Sequence, residues 1–217
     1  MAKIEIIPSL LTSSPQELRQ LIRQAEGEVN RVHVDIIDGV YANNKTIDPS
    51  VLGNIDTNLL IDFHLMVDDP VNWVERCIRA GADRIVAQIE MMGDQVEFVE
   101  KVTQAGVGLG LALDLNSDVN EIDETILGSL DNILVMSVQA GFGGQEFHKE
   151  ALDKIDELDR LRRENGYTYT ICDDGGITIE WIDDIRREGA DEAVVGRRLF
   201  KGNLGQNVEE FEESSEI

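Results

Sequence analysis

Two short segments carry the residues best suited to chemistry. In VHVDIID, His33 and Asp35 are two positions apart, so on a strand they share one face with Ile37 while Val32, Val34 and Ile36 take the other. IDFHLM repeats the pattern with Asp62, His64 and Met66. Inward imidazoles and carboxylates on neighbouring strands, set among Met and Ile, are the makings of a metal centre inside an apolar ring. A single inward His is more often a satisfied core residue, and a single buried Asp more often a turn acceptor. Grouping favours the ligand reading, because polar side chains buried together are costly without a task. Imidazole nitrogen with carboxylate oxygen suits one divalent ion: Zn²⁺, Fe²⁺, Mn²⁺ or Co²⁺.

Three glycine-bearing segments offer backbone N–H groups to an anion. They are GFGG, with Gly141, Phe142, Gly143 and Gly144, then Asp174-Gly175-Gly176, and finally Gly196-Arg197-Arg198. Turns use glycine for backbone reasons more often than for phosphate, and no spacing here is Walker A or GxGxxG. Three such loops on one side of a fold nevertheless favour a phosphate clamp, to which Arg197 could add a forked, charged donor. Lysine argues by its placement. The six, Lys3, Lys45, Lys101, Lys149, Lys154 and Lys201, fall outside every expected strand, which counts against a Schiff-base aldolase.

These groups must be held by something, and the chain supplies alternating short apolar runs and longer segments of helical period. Strands are expected at residues 4–8, 31–37, 59–66, 84–89, 106–113, 132–138, 168–172 and 192–195. Helices are expected at 14–25, 70–80, 94–105, 119–127, 149–165, 179–187 and from 208 to the end, with an irregular connection at 38–58. AGADRIV and EGADEAVV echo one another, each a helix end with glycine running into a strand, as a repeated β/α unit requires. The polar residues Ser9, His33, Asp35, His64, Gln88, Asp114, Ser137, Asp174 and Gly196 fall near strand C-termini. An open doubly wound sheet needs such residues at one switch point; a closed barrel gathers them from most strands. The expectation is therefore a single (β/α)8 TIM barrel, an α/β fold spanning residues 1–217 as one catalytic domain, with no linker to divide it.

Charge narrows the partners. Forty-three Asp and Glu against 19 Lys and Arg give a net charge of −24, which disfavours nucleic acid and anionic membranes. The excess carboxylates sit largely on apparent helix faces, for example Glu97, Glu100, Glu157 and Asp159, and in the tail at 209–216. A solvated surface is the expected reading of these carboxylates; because such a shell repels itself unless screened, adaptation to high salt is the alternative. Cys77 and Cys172 form no CxxC or zinc spacing and read as core thiols. MAKIEIIPSLL lacks the apolar run and cleavage site of a signal peptide, and no stretch reaches membrane-spanning length, so a cytoplasmic location is expected. A homo-oligomer is compatible with this composition.

PSLL, HVDIIDG, HLMV, MSVQAGFGGQ, DGGI and the terminal VVG, in this order across nearly the whole chain, resemble the ribulose-phosphate 3-epimerase family. The resemblance implies a (β/α)8 barrel that interconverts D-ribulose 5-phosphate and D-xylulose 5-phosphate. It implies metal ligation by His33, Asp35, His64 and Asp174, with Asp35 and Asp174 also serving as acid and base. Asp174 is otherwise supported only by its strand-end position. The resemblance further implies substrate contacts from Ser9, His64, the 141–144 backbone, Gly175, Gly176 and Gly196, and enediolate chemistry next to a carbonyl polarised by the metal. Several residues depart from the family's pattern. Gln88 stands where His is usual, VYANN at 40–44 replaces HFVPN, Ala140 replaces Pro, Arg197 replaces a small residue, and Asp173 stands where an apolar residue is common. The phosphorylated ketose expected as substrate is thus ribulose 5-phosphate, with a hexulose phosphate such as allulose 6-phosphate, or a silent sugar-phosphate-binding barrel, as alternatives.

Overall fold

In a computed structural model that describes residues 3–214, eight parallel strands close on themselves in the order β1 to β8, each paired with its sequence neighbours and β1 with β8. They are β1 (Glu5–Leu10), β2 (Arg31–Ile37), β3 (Leu60–Met66), β4 (Arg84–Gln88), β5 (Gly108–Leu113), β6 (Asn132–Met136), β7 (Thr170–Asp174) and β8 (Glu192–Val195). Six α-helices pack outside: α1 (Pro15–Ala25), α2 (Val74–Arg79), α3 (Gln95–Ala105), α4 (Glu150–Asn165), α5 (Ile179–Glu188) and α6 (Leu204–Ser214). The connections after β2 and β5 use short 3₁₀ helices instead. This is the expected (β/α)8 barrel.

Period-2 alternation splits the core in two. Val32, Val34, Ile36, Ile61, Phe63 and Leu65 point outward and are buried against the helical layer. Ile37 and Met66 point into the lumen, where they join Ile7, Val86, Leu134, Met136, Cys172 and Val194. Closing the sheet means that both faces of every strand are covered, so each strand is apolar on its outer face and selective on its inner one.

The lumen is not apolar throughout. At the N-terminal end of the strands, Arg84 donates to Glu192 through two nitrogens at 2.9 and 2.6 Å and to Asp62 at 2.5 Å. Arg31 also pairs with Asp62, and Asn132 donates to Thr170. Asp62 therefore sits on the same face as His64, as its spacing required, but belongs to an ionic plug one layer below.

Several element boundaries differ from expectation, among them β5, which starts at Gly108, β6, which ends at Met136, and the 70–80 helix, whose first turn is 3₁₀. β1 runs on to Leu10, which brings Ser9 inside the strand, opposite His33. β7 starts two residues later, at Thr170, and ends on Asp174, because Gly166 terminates α4 in a left-handed conformation and the chain needs residues 167–169 to reach the sheet. The helix expected at 119–127 is absent. Asp118 and Glu121 cap a single turn there, and Asp123 then accepts from the Thr125 N–H, offering the backbone a competing local bond. The last helix begins at Leu204 instead of 208, since the Asn203 side chain accepts from the Gln206 N–H and starts it a turn earlier. Its expected continuation over 215–217 lies outside the described residues. Among the described residues, no helix is long and apolar enough to cross a membrane.

Candidate active site

Strand register brings four of the expected residues together. β2 and β3 pair with Asp35 beside His64, β1 and β2 with Ser9 beside His33, and β6 and β7 with Met136 beside Asp174. His33, Asp35, His64 and Asp174 each offer a ligand atom within 4.8 Å of all the others. His33 Nε2 lies 3.4 Å from Asp35 Oδ1 and 3.6 Å from Asp174 Oδ2, and His64 Nδ1 lies 3.2 and 3.7 Å from the same two oxygens. Ligands about 2.0–2.1 Å from a tetrahedral ion stand roughly 3.3–3.5 Å apart, so the cluster has the right size for one. His33 Nε2 is buried and makes no hydrogen bond among the described residues. That orphaned atom, aimed at two carboxylates, fits a cation held there. A set of two nitrogens and two oxygens is compatible with Zn²⁺, Fe²⁺, Mn²⁺ or Co²⁺ alike.

The two aspartates experience opposite surroundings. For Asp35, burial pushes the pKa up, but the adjacent His33 ring and the His64 hydrogen bond outweigh it and hold the carboxyl well below the usual range. Ser9 Oγ adds a 2.7 Å bond to its other oxygen. Asp174 is pushed up to about 7, first by burial and then by the charge of Asp35. For His33 burial favours the neutral ring, yet the carboxylates beside it, Asp35 foremost, leave its pKa raised; His64, with burial foremost, is lowered.

Above this cluster lies a cavity of about 300 Å³. Asp35 and Asp174 form part of its floor, and Ser9, Gly141, Phe142, Gly143, Gly144, Gly175, Gly176, Gly196 and Arg197 form its wall, so all three glycine loops open on one space. His33 and His64 stand behind the carboxylates and do not line it, which leaves His64 placed as a ligand candidate and away from the cavity surface. Met66 and Met136 reach the cavity, whereas Ile37, paired with Met66 at the C-terminal end of β2, does not line it. Glycine is required at two of these positions. At Gly176, with φ +63°, an added Cβ would meet Phe147 N at 2.5 Å; at Gly141, with φ +102°, it would overlap Ala42.

The 40–44 segment, where the chain departs most from the family pattern, docks on the glycine loop. Asn44 Nδ2 donates to the Gly141 carbonyl at 2.8 Å, and Tyr41 donates to Glu90 at 3.2 Å. Two strand-end residues expected to face the site do not. Ser137 points outward, donating to the Gly175 carbonyl at 2.7 Å, and Asp114 accepts from Ala140 N and so pins the approach to the loop. Asp173 also faces outward, where burial pushes its carboxyl well above the usual range; the outward side of the strand is the apolar side by pattern. Sequence reasoning gave no site role to Leu11, Gln145, Ile177 and Phe200, which also stand on the cavity wall, and named Arg198 only within the Gly196 segment. Leu11, Gln145 and Ile177 are the last residues of the PSLL, MSVQAGFGGQ and DGGI motifs, and that placement was the available signal.

The model of the ribulose-phosphate 3 epimerase family matches residues 5–200. The chain belongs to that family. It is an enzyme of the epimerase class. It is 34% identical over 202 residues to the ribulose-phosphate 3-epimerase of Treponema pallidum (strain Nichols), covering 92% of each chain. It is 30% identical to that of Bacillus subtilis (strain 168), covering 91% of this chain and 92% of that one. Identity to the Escherichia coli (strain K12) protein of the same name is 32%, covering 92% and 90%. Among solved structures, 3-keto-L-gulonate-6-phosphate decarboxylase from Vibrio cholerae is similar in fold, with a TM-score of 0.72 at 13% identity, covering 99% of this chain and 98% of that one. At that identity the likeness concerns the barrel alone.

Proposed function

We propose that this family member epimerises a ketose phosphate at C3, with D-ribulose 5-phosphate and D-xylulose 5-phosphate as the pair. The observation that carries the reading is the convergence of Asp35 and Asp174 on the floor of a cavity walled by three glycine loops. The relatives named ribulose-phosphate 3-epimerase support the choice of sugar.

The chemistry needs one carboxylate to take the C3 proton, the C–H electrons to move toward the C2 carbonyl, and a carboxylic acid to return a proton to C3 from the other face. Nothing is gained or lost overall. Asp35 and Asp174, the two carboxyl groups on the cavity floor, are placed to act as that base and acid, and the reverse reaction exchanges their roles. A divalent cation on His33, Asp35, His64 and Asp174 would supply positive charge against the enediolate oxygens. Ser9 orients Asp35 through its hydrogen bond. The phosphate would lie against the N–H groups of the 141–144, 175–176 and 196–197 backbone, with Arg197 adding charge at the rim. Gly196 has open space where a Cβ would stand, so a ligand can approach its backbone closely.

The test is incubation of the zinc- or manganese-loaded protein with ribulose 5-phosphate in ²H₂O. Xylulose 5-phosphate carrying deuterium at C3 is expected. Neither product nor exchange, from folded and metal-loaded protein, would sink the proposal. Allulose 6-phosphate assayed in parallel ranks the two ketose phosphates by kcat/KM.

A further inference from the structure

His64 is held from behind as well as in front. Its Nδ1 faces Asp35 Oδ1 and Asp174 Oδ2, and its Nε2 lies 3.1 Å from Gln88 Nε2. Both side chains are completely buried, and Gln88 Oε1 has no hydrogen-bond partner among the described residues. Gln88 lies outside the cavity wall and holds none of the four ligand atoms, so its contact with His64 is its link to the site.

A neutral imidazole has one N–H and one lone pair, so what happens at one ring nitrogen dictates the state of the other. With the amide nitrogen of Gln88 toward the ring, Gln88 donates to the Nε2 lone pair. The ring proton then sits on Nδ1 and points at Asp35. In that state Nδ1 has no lone pair to offer a cation. Ligation through Nδ1 requires the proton on Nε2, where it must meet an acceptor. A half-turn of the Gln88 amide places Oε1 there, at the same separation and with no change of charge. An amide is suited to this exchange, because its two ends have nearly the same shape and opposite hydrogen-bonding character.

We propose that Gln88 is a positioning residue that holds His64 in its Nε2–H tautomer by accepting through Oε1, and so presents the Nδ1 lone pair to the metal. This rests on reading the four side chains as a metal site. It also gives a physical account of the departure at this position: glutamine can partner either tautomer, and it does so without a charge of its own that would alter the electrostatics beside Asp35. A methionine would fill the same volume and partner neither.

The test compares zinc binding by wild type, Gln88→Met and Gln88→Glu, using competition with a chromophoric chelator, together with the histidine ring ¹⁵N shifts of the zinc-loaded wild type. His64 is expected to carry its proton on Nε2. Gln88→Met is expected to bind Zn²⁺ about 10–100-fold more weakly, the usual cost of removing a partner behind a ligand, and Gln88→Glu, which keeps an acceptor at the same reach, to recover most of that loss. A proton on Nδ1 in the zinc-loaded wild type would overturn the assignment, as would a folded Gln88→Met with unchanged affinity. If Gln88→Met does not fold, the wild-type tautomer decides. Wild type that fails to bind zinc would instead remove the metal-site reading itself, and this role with it.

Discussion

Asp35 and Asp174 are chemically the same side chain in opposite electrostatic situations. Asp35 sits between two imidazoles and a serine hydroxyl, all of which favour its ionised form. Asp174 has no such hydroxyl donor among the described residues and faces the negative charge of Asp35. Substituting Asp174→Asn removes the group that can hold and release a proton while preserving its shape. Turnover is expected to fall by about 10²–10⁴-fold with little change in melting temperature. Wild-type turnover in that variant would mean that the second proton-transfer group lies elsewhere. Of these residues, His33, Asp35 and His64 were legible from spacing, because alternate residues on a strand share a face. Asp174 was not, since its strand lies far along the chain and its reach to His33 depends on barrel closure.

At the scale of elements, the strands do two jobs at their two ends. Their C-terminal ends carry the site, and their N-terminal ends carry the Arg84, Asp62 and Glu192 plug. Buried ion pairs add little net stability, but removing one partner strands the others in a low-dielectric interior. Arg84→Met is therefore expected to cost about 3–5 kcal/mol at pH 7, read by urea unfolding. The pH dependence follows from the carboxylates. Burial alone would raise Glu192, but its Arg84 bonds hold it below its ordinary value of 4.5, so its contribution is present above that value and lost as pH falls through the lowered one. Asp62 is raised, chiefly by burial, and works in the other sense. Without Arg84 both carboxylates gain from protonation, so the stability gap between wild type and Arg84→Met is expected to narrow from pH 7 to about pH 4. A constant gap would show that Arg84 acts through packing and not through these charges. The helix missing at 119–127 shows the limit of pattern reading at this scale: apolar spacing suggested a helix, and the local Asp123 turn won over it.

The whole molecule carries −24, and its visible ion pairs engage only part of that charge. Self-repulsion among surface carboxylates acts over about 10 Å at 0.1 M salt and about 3 Å at 1 M. Rising KCl is expected to raise the melting temperature by at least about 2–4 °C, which corresponds to about 1 kcal/mol for a chain of this size. A flat or falling series would mean that the acidic surface is no burden at low salt. The same charge makes the placement of Arg197 and Arg198 at the cavity informative, since an anionic substrate needs local cations on such a surface.

By itself the sequence determined the barrel, the inward faces of β2 and β3 and the three glycine loops, because these depend on residue periodicity and on backbone freedom within a few positions. Tertiary structure alone decided which inward residues meet. It sent Asp62 to the plug and His64 to the site, turned Ser137 and Asp173 away from the lumen, and set Gln88 behind the His64 ring. Those outcomes follow from strand register and closure, which are fixed by the packing of distant segments and shift every cross-strand neighbour together.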